Sequence, residues 1–152
     1  MRIYLDTSVP STYFDERTPE RQQATRRFWM HAAAKRELFI SELLLTELKA
    51  TPSPTKRQQM IDLVASLPCL ELNDEVIRLA RCLYEENLVP ANKFDDALHL
   101  AHAAVAGVDV LISWNFSHMI NLKVKQKLPV LLAEQRYFRQ FQLISPFEYS
   151  EA

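Results

Sequence analysis

Four places in this 152-residue chain carry acids or an amide where chemistry can be built. Asp6 ends the short apolar run Ile3-Tyr4-Leu5, and Glu47 lies a few residues beyond a second apolar run, LFIS. Asp95 and Asp96 stand together at the head of an alanine-rich segment, and Asn115 follows the apolar run VDVLIS. Carboxylates gathered at one point repel one another, so such a gathering implies a cation. A ligand set made only of oxygen suits Mg2+ or Mn2+ and not zinc. One or two such ions activate water and stabilise a phosphodiester during in-line displacement. Each acid alone also has a plainer reading as a turn, cap or solvated residue. Asp96 in a first helical turn is favourable without any metal. The question is whether the fold brings the four places together.

The elements that must do this are legible from pattern and punctuation. Strands are expected over Arg2–Leu5, Glu37–Ser41, Cys69–Leu72 and Val108–Ser113, with a last one near Gln142–Ile144. Helices are expected over Pro19–Lys35, after Ser41 through Leu48, over Pro54–Leu67, from a cap at Asn73 or Asp74 through Glu86, over Phe94–Ala106, and over Ser117–Lys127. Thr18-Pro19 and Ser53-Pro54 each read as an N-cap followed by proline at the first helical position. The single glycine, Gly107, stands where a helix C-terminus wants one. Short apolar strands alternating with helices imply a three-layer α/β/α domain with a mostly parallel sheet, one domain over residues 1–152 whose tail from about residue 131 is the open part. In such sheets the functional crevice lies beyond the carboxyl ends of the strands. Asp6, Glu47, Asp95, Asp96 and Asn115 all fall near that edge.

Four stretches, IYLDTSV, FISELLLTEL, DDALHLAHA and VDVLISWNFSHMIN, taken in order and separation, resemble a PIN domain over roughly Met1 to Asn121. The resemblance places the family's first acid on Asp6, followed by the hydroxyls of Thr7 and Ser8. It places the second on Glu47, six residues after Ser41, and the third on Asp96, followed by Ala97. Many relatives carry an Asp after the last core strand, where this chain has Asn115 in Ser113-Trp114-Asn115. Asn offers a carbonyl oxygen but no negative charge. What the resemblance implies is an Mg2+- or Mn2+-dependent ribonuclease. Asp6, Glu47 and Asp96 would ligate the metal and Asn115 would assist, giving products with 5′-phosphate ends. Relatives of this kind include the toxins of type II toxin–antitoxin pairs, which implies an RNA substrate, an antitoxin partner and a homodimer. The alternative is a weak or inactive PIN domain that acts as an RNA- or protein-binding module. A receiver-like or phosphatase-like domain would want a second Asp in a D-x-D arrangement, which LDTS lacks.

The neighbours of these residues divide by pattern. On a helical wheel Asp95 and Asp96 flank the buried face on opposite sides, so periodicity leaves both open and the resemblance selects Asp96. Asp95 is then a solvated residue or a partner for His99 one turn on. Glu42 reads as a helix-start charge. His99 and His102 read as packing or hydrogen-bonding residues, since three-residue spacing without a further His or Cys makes a poor metal pair. His118 and Asn121 lie near Asn115 and are candidates for phosphate or for support of the metal ligands. Ser113 is a strand-end hydroxyl placed to hold the acids. Lys123, Lys125, Lys127, Arg136 and Arg139, and separately Arg17, Arg21, Arg26 and Arg27, are either solvated faces or RNA-steering patches. Among the aromatics, Trp29 and Trp114 read as core, and Tyr13 or Phe116 is the candidate for stacking on bases.

Composition narrows the field. Eighteen basic against nineteen acidic residues give a net charge of −1, so nucleic acid is not held by global charge and any binding is local. One glycine excludes a glycine-rich phosphate loop. No apolar run reaches the roughly 20 residues of a membrane span, and MRIYLDTS reads as a strand start, lacking the long apolar core expected of a leader peptide. The expected location is the cytoplasm, with Cys69 and Cys82 reduced.

Overall fold

The computed structural model describes residues 1–35 and 37–149. The expectation of one domain running to residue 152 reaches past the described residues at its last three positions. Chain order is β1 (Ile3–Leu5), α1 (Ser8–Tyr13), α2 (Pro19–Ala34), β2 (Leu38–Ser41), α3 (Glu42–Lys49), α4 (Pro54–Val64), β3 (Cys69–Leu70), α5 (Asp74–Glu85), α6 (Phe94–Ala106), β4 (Val110–Ile112), α7 (Leu122–Glu134), β5 (Gln142–Ile144) and α8 (Pro146–Tyr149). The strands form one sheet in the order β3-β2-β1-β4-β5. Every neighbouring pair is parallel, with Tyr4 opposite Phe39 on one side and Leu111 on the other.

The two-residue period of the strands sorts the core into two layers. Tyr4 of β1 and Leu111 of β4 face a cluster built with Leu79 and Leu83 of α5, Leu100 and Ala101 of α6, and Leu128 of α7. Ile3 and Leu5, with Val110 and Ile112, face the other side, against Phe28 of α2, Leu44 and Leu48 of α3, and Val64 of α4. This is the three-layer arrangement expected. From β1 the chain first builds outward through β2 and β3, then returns to place β4 on the other side of β1. The order therefore reverses between β1 and β4, and the crevice beyond their carboxyl ends is where a ligand site belongs.

Three local features set the edges of the site. Helix α1 lies where no element was expected. Pro10 sits in the first turn, where its missing N–H costs nothing. Gly107 closes α6 in the left-handed region at φ 64, as its position implied. Helix α7 departs from the expected Ser117–Lys127. Asn121 takes the cap, its side chain accepting from Val124 N at 2.9 Å, so the helix begins at Leu122. It then runs through Pro129 to Glu134, because Val124, Leu128 and Leu132 form a buried stripe at four-residue spacing.

Candidate active site

Asp6 leaves the end of β1 into the crevice and is only 4% exposed. Its carboxylate accepts from Ser8 N at 3.1 Å, from Ser8 Oγ at 2.5 Å and, on the other oxygen, from Ser113 Oγ at 2.6 Å. Ser113 stands at the end of β4 and also accepts from Asn115 N at 2.9 Å. The strand-end hydroxyl thus ties the first acid to the turn that carries Asn115. Burial pushes the Asp6 carboxyl above its usual pKa, although His99 and the two serines pull the other way.

Asp96, in the first turn of α6, meets that turn from across the crevice. His118 Nδ1 is 3.0 Å from one of its oxygens, and Asn115 Nδ2 donates to the other at 3.4 Å. The carbonyl oxygen of Asn115 accepts from His118 N at 3.0 Å. Asn115 is therefore turned to fix the loop and to donate toward Asp96. Burial raises the Asp96 carboxyl, and His118 offsets part of this.

Glu47 lies on α3, which Ser41 begins by accepting from Leu44 N at 3.2 Å. Its Oε1 accepts from Thr7 Oγ1 at 2.7 Å and lies 2.7 Å from His99 Nε2. Burial pushes the Glu47 carboxyl up, but the bonds from His99 and Thr7 outweigh it and leave the pKa lowered. The other nitrogen of His99 lies 2.6 Å from the Tyr4 hydroxyl, itself 2.8 Å from Ser41 Oγ. One order of protons satisfies every group. Ser41 donates to Tyr4, Tyr4 donates to His99 Nδ1, and the Nε2 proton goes to Glu47. The chain of four side chains is buried at Tyr4, Ser41 and His99, where an unmade bond is expensive.

The crevice thus brings Asp6, Glu47, Asp96 and Asn115 to one end of the sheet. Glu47 is bonded to the His99 imidazole, and Asp6 and Asp96 lie within electrostatic reach of the same ring. A cleft of about 400 Å3 opens beside them, lined by Glu47, Lys93, Phe94, Asp95 and Asp96. Asp95 is exposed and does not pair with His99, whose two nitrogens are taken by Tyr4 and Glu47. Glu42 accepts from Leu72 N at 3.1 Å and stays out of the crevice. His102 is buried and stacked on Tyr4, with 6.1 Å between ring centres, and its Nε2 has no hydrogen-bond partner among the described residues. Asn121 is a helix cap. Sequence reasoning did not single out Tyr4. The only available signal was a tyrosine two residues before the acid, on the strand face that α6 covers.

The donor chemistry fits a hard divalent cation. Among the described residues, no group of three or more His, Cys, Asp and Glu side chains forms a ready ion cage. The three carboxylates nonetheless supply only oxygen. Two of them, Asp6 and Asp96, have burial as the largest cause of a raised pKa, a cost that a cation placed among them removes.

The family model described as PIN domain matches residues 3–115 of the chain. The match spans all four positions, with Asn115 its last residue, and leaves α7, β5 and α8 beyond it. No curated protein matches the chain.

Proposed function

This chain belongs to the PIN-domain family, a family of nucleases, and on that premise we propose that it is an Mg2+- or Mn2+-dependent endoribonuclease acting as one domain over residues 1–152. Asp6, Glu47 and Asp96 hold the metal. A divalent ion there supplies the acidity that makes water a nucleophile at neutral pH and offsets charge on the departing oxygen. The chain's own residues fix where that happens. Ser8 and Ser113 orient Asp6, while Thr7 and the Tyr4–His99 pair orient Glu47. Asn115 and His118 orient Asp96. Burial shields Asp6 from bulk water, while Glu47 and Asp96 are half-buried at the cleft. The observation that carries this reading is Asp6, 4% exposed at the carboxyl end of β1 where the strand order reverses, with Glu47 and Asp96 at the same end of the sheet.

The finer reading is a cytoplasmic toxin of a type II toxin–antitoxin pair, working as a homodimer and held inactive by an antitoxin. It rests on the resemblance of the four motifs to a family that includes such toxins. No described helix is long and apolar enough to cross a membrane. The test is incubation of purified protein with cellular RNA in Mg2+, Mn2+ or EDTA, with the product ends mapped. Metal-dependent cuts carrying 5′-phosphates are expected, and cutting that persists in EDTA refutes the mechanism. A second reading, a weak or inactive domain that binds RNA or a protein, is favoured by one observation. Asn115 brings no charge, and its carbonyl oxygen is already accepting from His118. Such a module need not bind Mn2+, so a binding titration separates the two.

A further inference from the structure

Beside the carboxylates lies an aromatic corner that the reaction, as described, does not use. Phe116 follows Asn115 directly, and its N–H donates to Trp114 O at 3.0 Å, which bends the loop. This turn leaves the Phe116 ring 40% exposed, although it is large and apolar. Trp114 beneath it is 5% exposed and fixed by its indole N–H, which donates to Thr25 Oγ1 at 2.9 Å. Thr25 in turn donates to Arg21 O at 2.7 Å, one helical turn back along α2. Arg21 then returns over both rings, with its guanidinium carbon 5.2 Å from the Trp114 centre and 5.4 Å from that of Phe116. No carboxylate of a described residue forms an ion pair with Arg21. The corner is a closed loop of contacts that holds an exposed ring and an unneutralised cation one residue from Asn115, which touches Asp96.

We propose that Phe116 and Arg21 form a subsite that stacks an unpaired nucleobase of the RNA strand and contacts its neighbouring phosphate, beside the carboxylate crevice; this rests on the nuclease reading of that crevice. A π face accepts any base, and a guanidinium both stacks and binds phosphate. Both tasks require a preorganised platform, which the Thr25–Trp114 anchor supplies. The subsite also answers a charge problem. A chain of net charge −1 with an acidic crevice repels a phosphate backbone, and Arg21 puts a fixed positive charge at the entrance. Because a base inside a helix has both faces covered, the subsite selects unpaired strands over duplex.

The test is binding of a fluorescein-labelled hexa-adenylate RNA by fluorescence anisotropy, in EDTA and over a range of salt, beside a stable GC-rich RNA duplex with no unpaired bases. Phe116→Leu keeps the apolar contact with Trp114 but loses the π face. It is expected to bind the single strand about tenfold or more weakly, with an unchanged salt slope. Phe116→Tyr restores binding. Arg21→Gln is expected to flatten the slope of log K against log salt by about 0.7. Tryptophan emission and Tm, read on each variant, show that the corner remains folded. Single-strand binding within about twofold of wild type in Phe116→Leu overturns the proposal. So does an equal loss on single strand and duplex, or no binding of hexa-adenylate by wild type. Cleavage in Mn2+ is run alongside. Cleavage that survives a failed binding test leaves the nuclease reading standing, and binding that behaves as expected without cleavage leaves the subsite standing alone.

Discussion

Tyr4→Phe removes one oxygen atom from the centre of the molecule and tests whether the buried chain behind Glu47 matters. The Tyr4 hydroxyl lies 2.8 Å from Ser41 Oγ and 2.6 Å from His99 Nδ1, with the tyrosine wholly buried. Phenylalanine fills nearly the same volume, so no cavity forms and packing in the α6-facing core is retained. What is lost is the donor to His99 Nδ1 and the acceptor of the Ser41 hydroxyl proton. Ser41 keeps its bond from Leu44 N, but its buried O–H is left without an acceptor, so the cost falls on the histidine and the serine together. One buried polar nitrogen left unpaired costs about 1–3 kcal/mol. For a chain of this length that lowers Tm by roughly 2–4 °C per kcal/mol. The second effect is local. With Nδ1 unpaired, His99 is no longer committed to giving its Nε2 proton to Glu47, and the carboxylate loses its fixed orientation. Loss of such a supporting bond behind a metal ligand typically weakens metal binding about 10- to 100-fold. Urea unfolding gives the stability term, and Mn2+ titration by electron paramagnetic resonance gives the affinity. A variant as stable as wild type to within about 0.5 kcal/mol, the size of an ordinary harmless substitution, and binding Mn2+ equally well would refute the reasoning.

Two further outcomes follow from the same geometry. Asp6→Asn removes a buried charge whose pKa is raised by desolvation, yet keeps a carbonyl to accept from Ser8 and an amide to meet Ser113. Its metal-free Tm is expected at or above wild type while cleavage is abolished, and a large fall in Tm counts against the assignment. Burial lowers the pKa of His102 to about 4. The unfolded chain therefore binds this proton below about pH 6.5 while the folded chain does not. The contribution is fully present above that pH and is lost as pH falls toward 4, by about 3 kcal/mol at most. His102→Met is expected to remove that part of the slope, read as the difference between wild-type and variant unfolding free energies at pH 7 and 4.5. Equal slopes would contradict it.

The fold was largely written in local pattern. Phe94–Ala106 was readable to the residue because an alanine-rich apolar face ends at the one glycine, whereas the last strand was placed only near Gln142–Ile144, in the tail that local pattern left open. Helix α7 was misplaced because Ser117 and Asn121 are both good caps. In the structure the chain first makes a local turn back onto Asn115 O through Met119 N and Ile120 N, which delays the helix to Leu122. The acids were visible as residue types at a sheet edge. Periodicity left Asp95 and Asp96 open, and the structure shows Asp95 exposed and Asp96 bonded to Asn115 and His118. What no local pattern carries is pairing across long stretches of chain. The bonds of Tyr4 to His99 and of His99 to Glu47 join residues 95 and 52 positions apart. The stacking of Arg21 on Trp114 and Phe116 likewise spans most of the chain. Such contacts exist only once the parallel sheet has set its strand order.

The central claim is that Asp6, Glu47 and Asp96 act together through a divalent cation to cut RNA. Its most direct test is RNA cleavage followed across a Mn2+ titration for wild type and Asp96→Asn in parallel, with folding of the variant checked by its Tm. The account predicts cleavage that rises with Mn2+ in the wild type, disappears in EDTA and is absent at every Mn2+ concentration in a folded Asp96→Asn. Equal cleavage by the two proteins, or wild-type cleavage indifferent to metal, would contradict it.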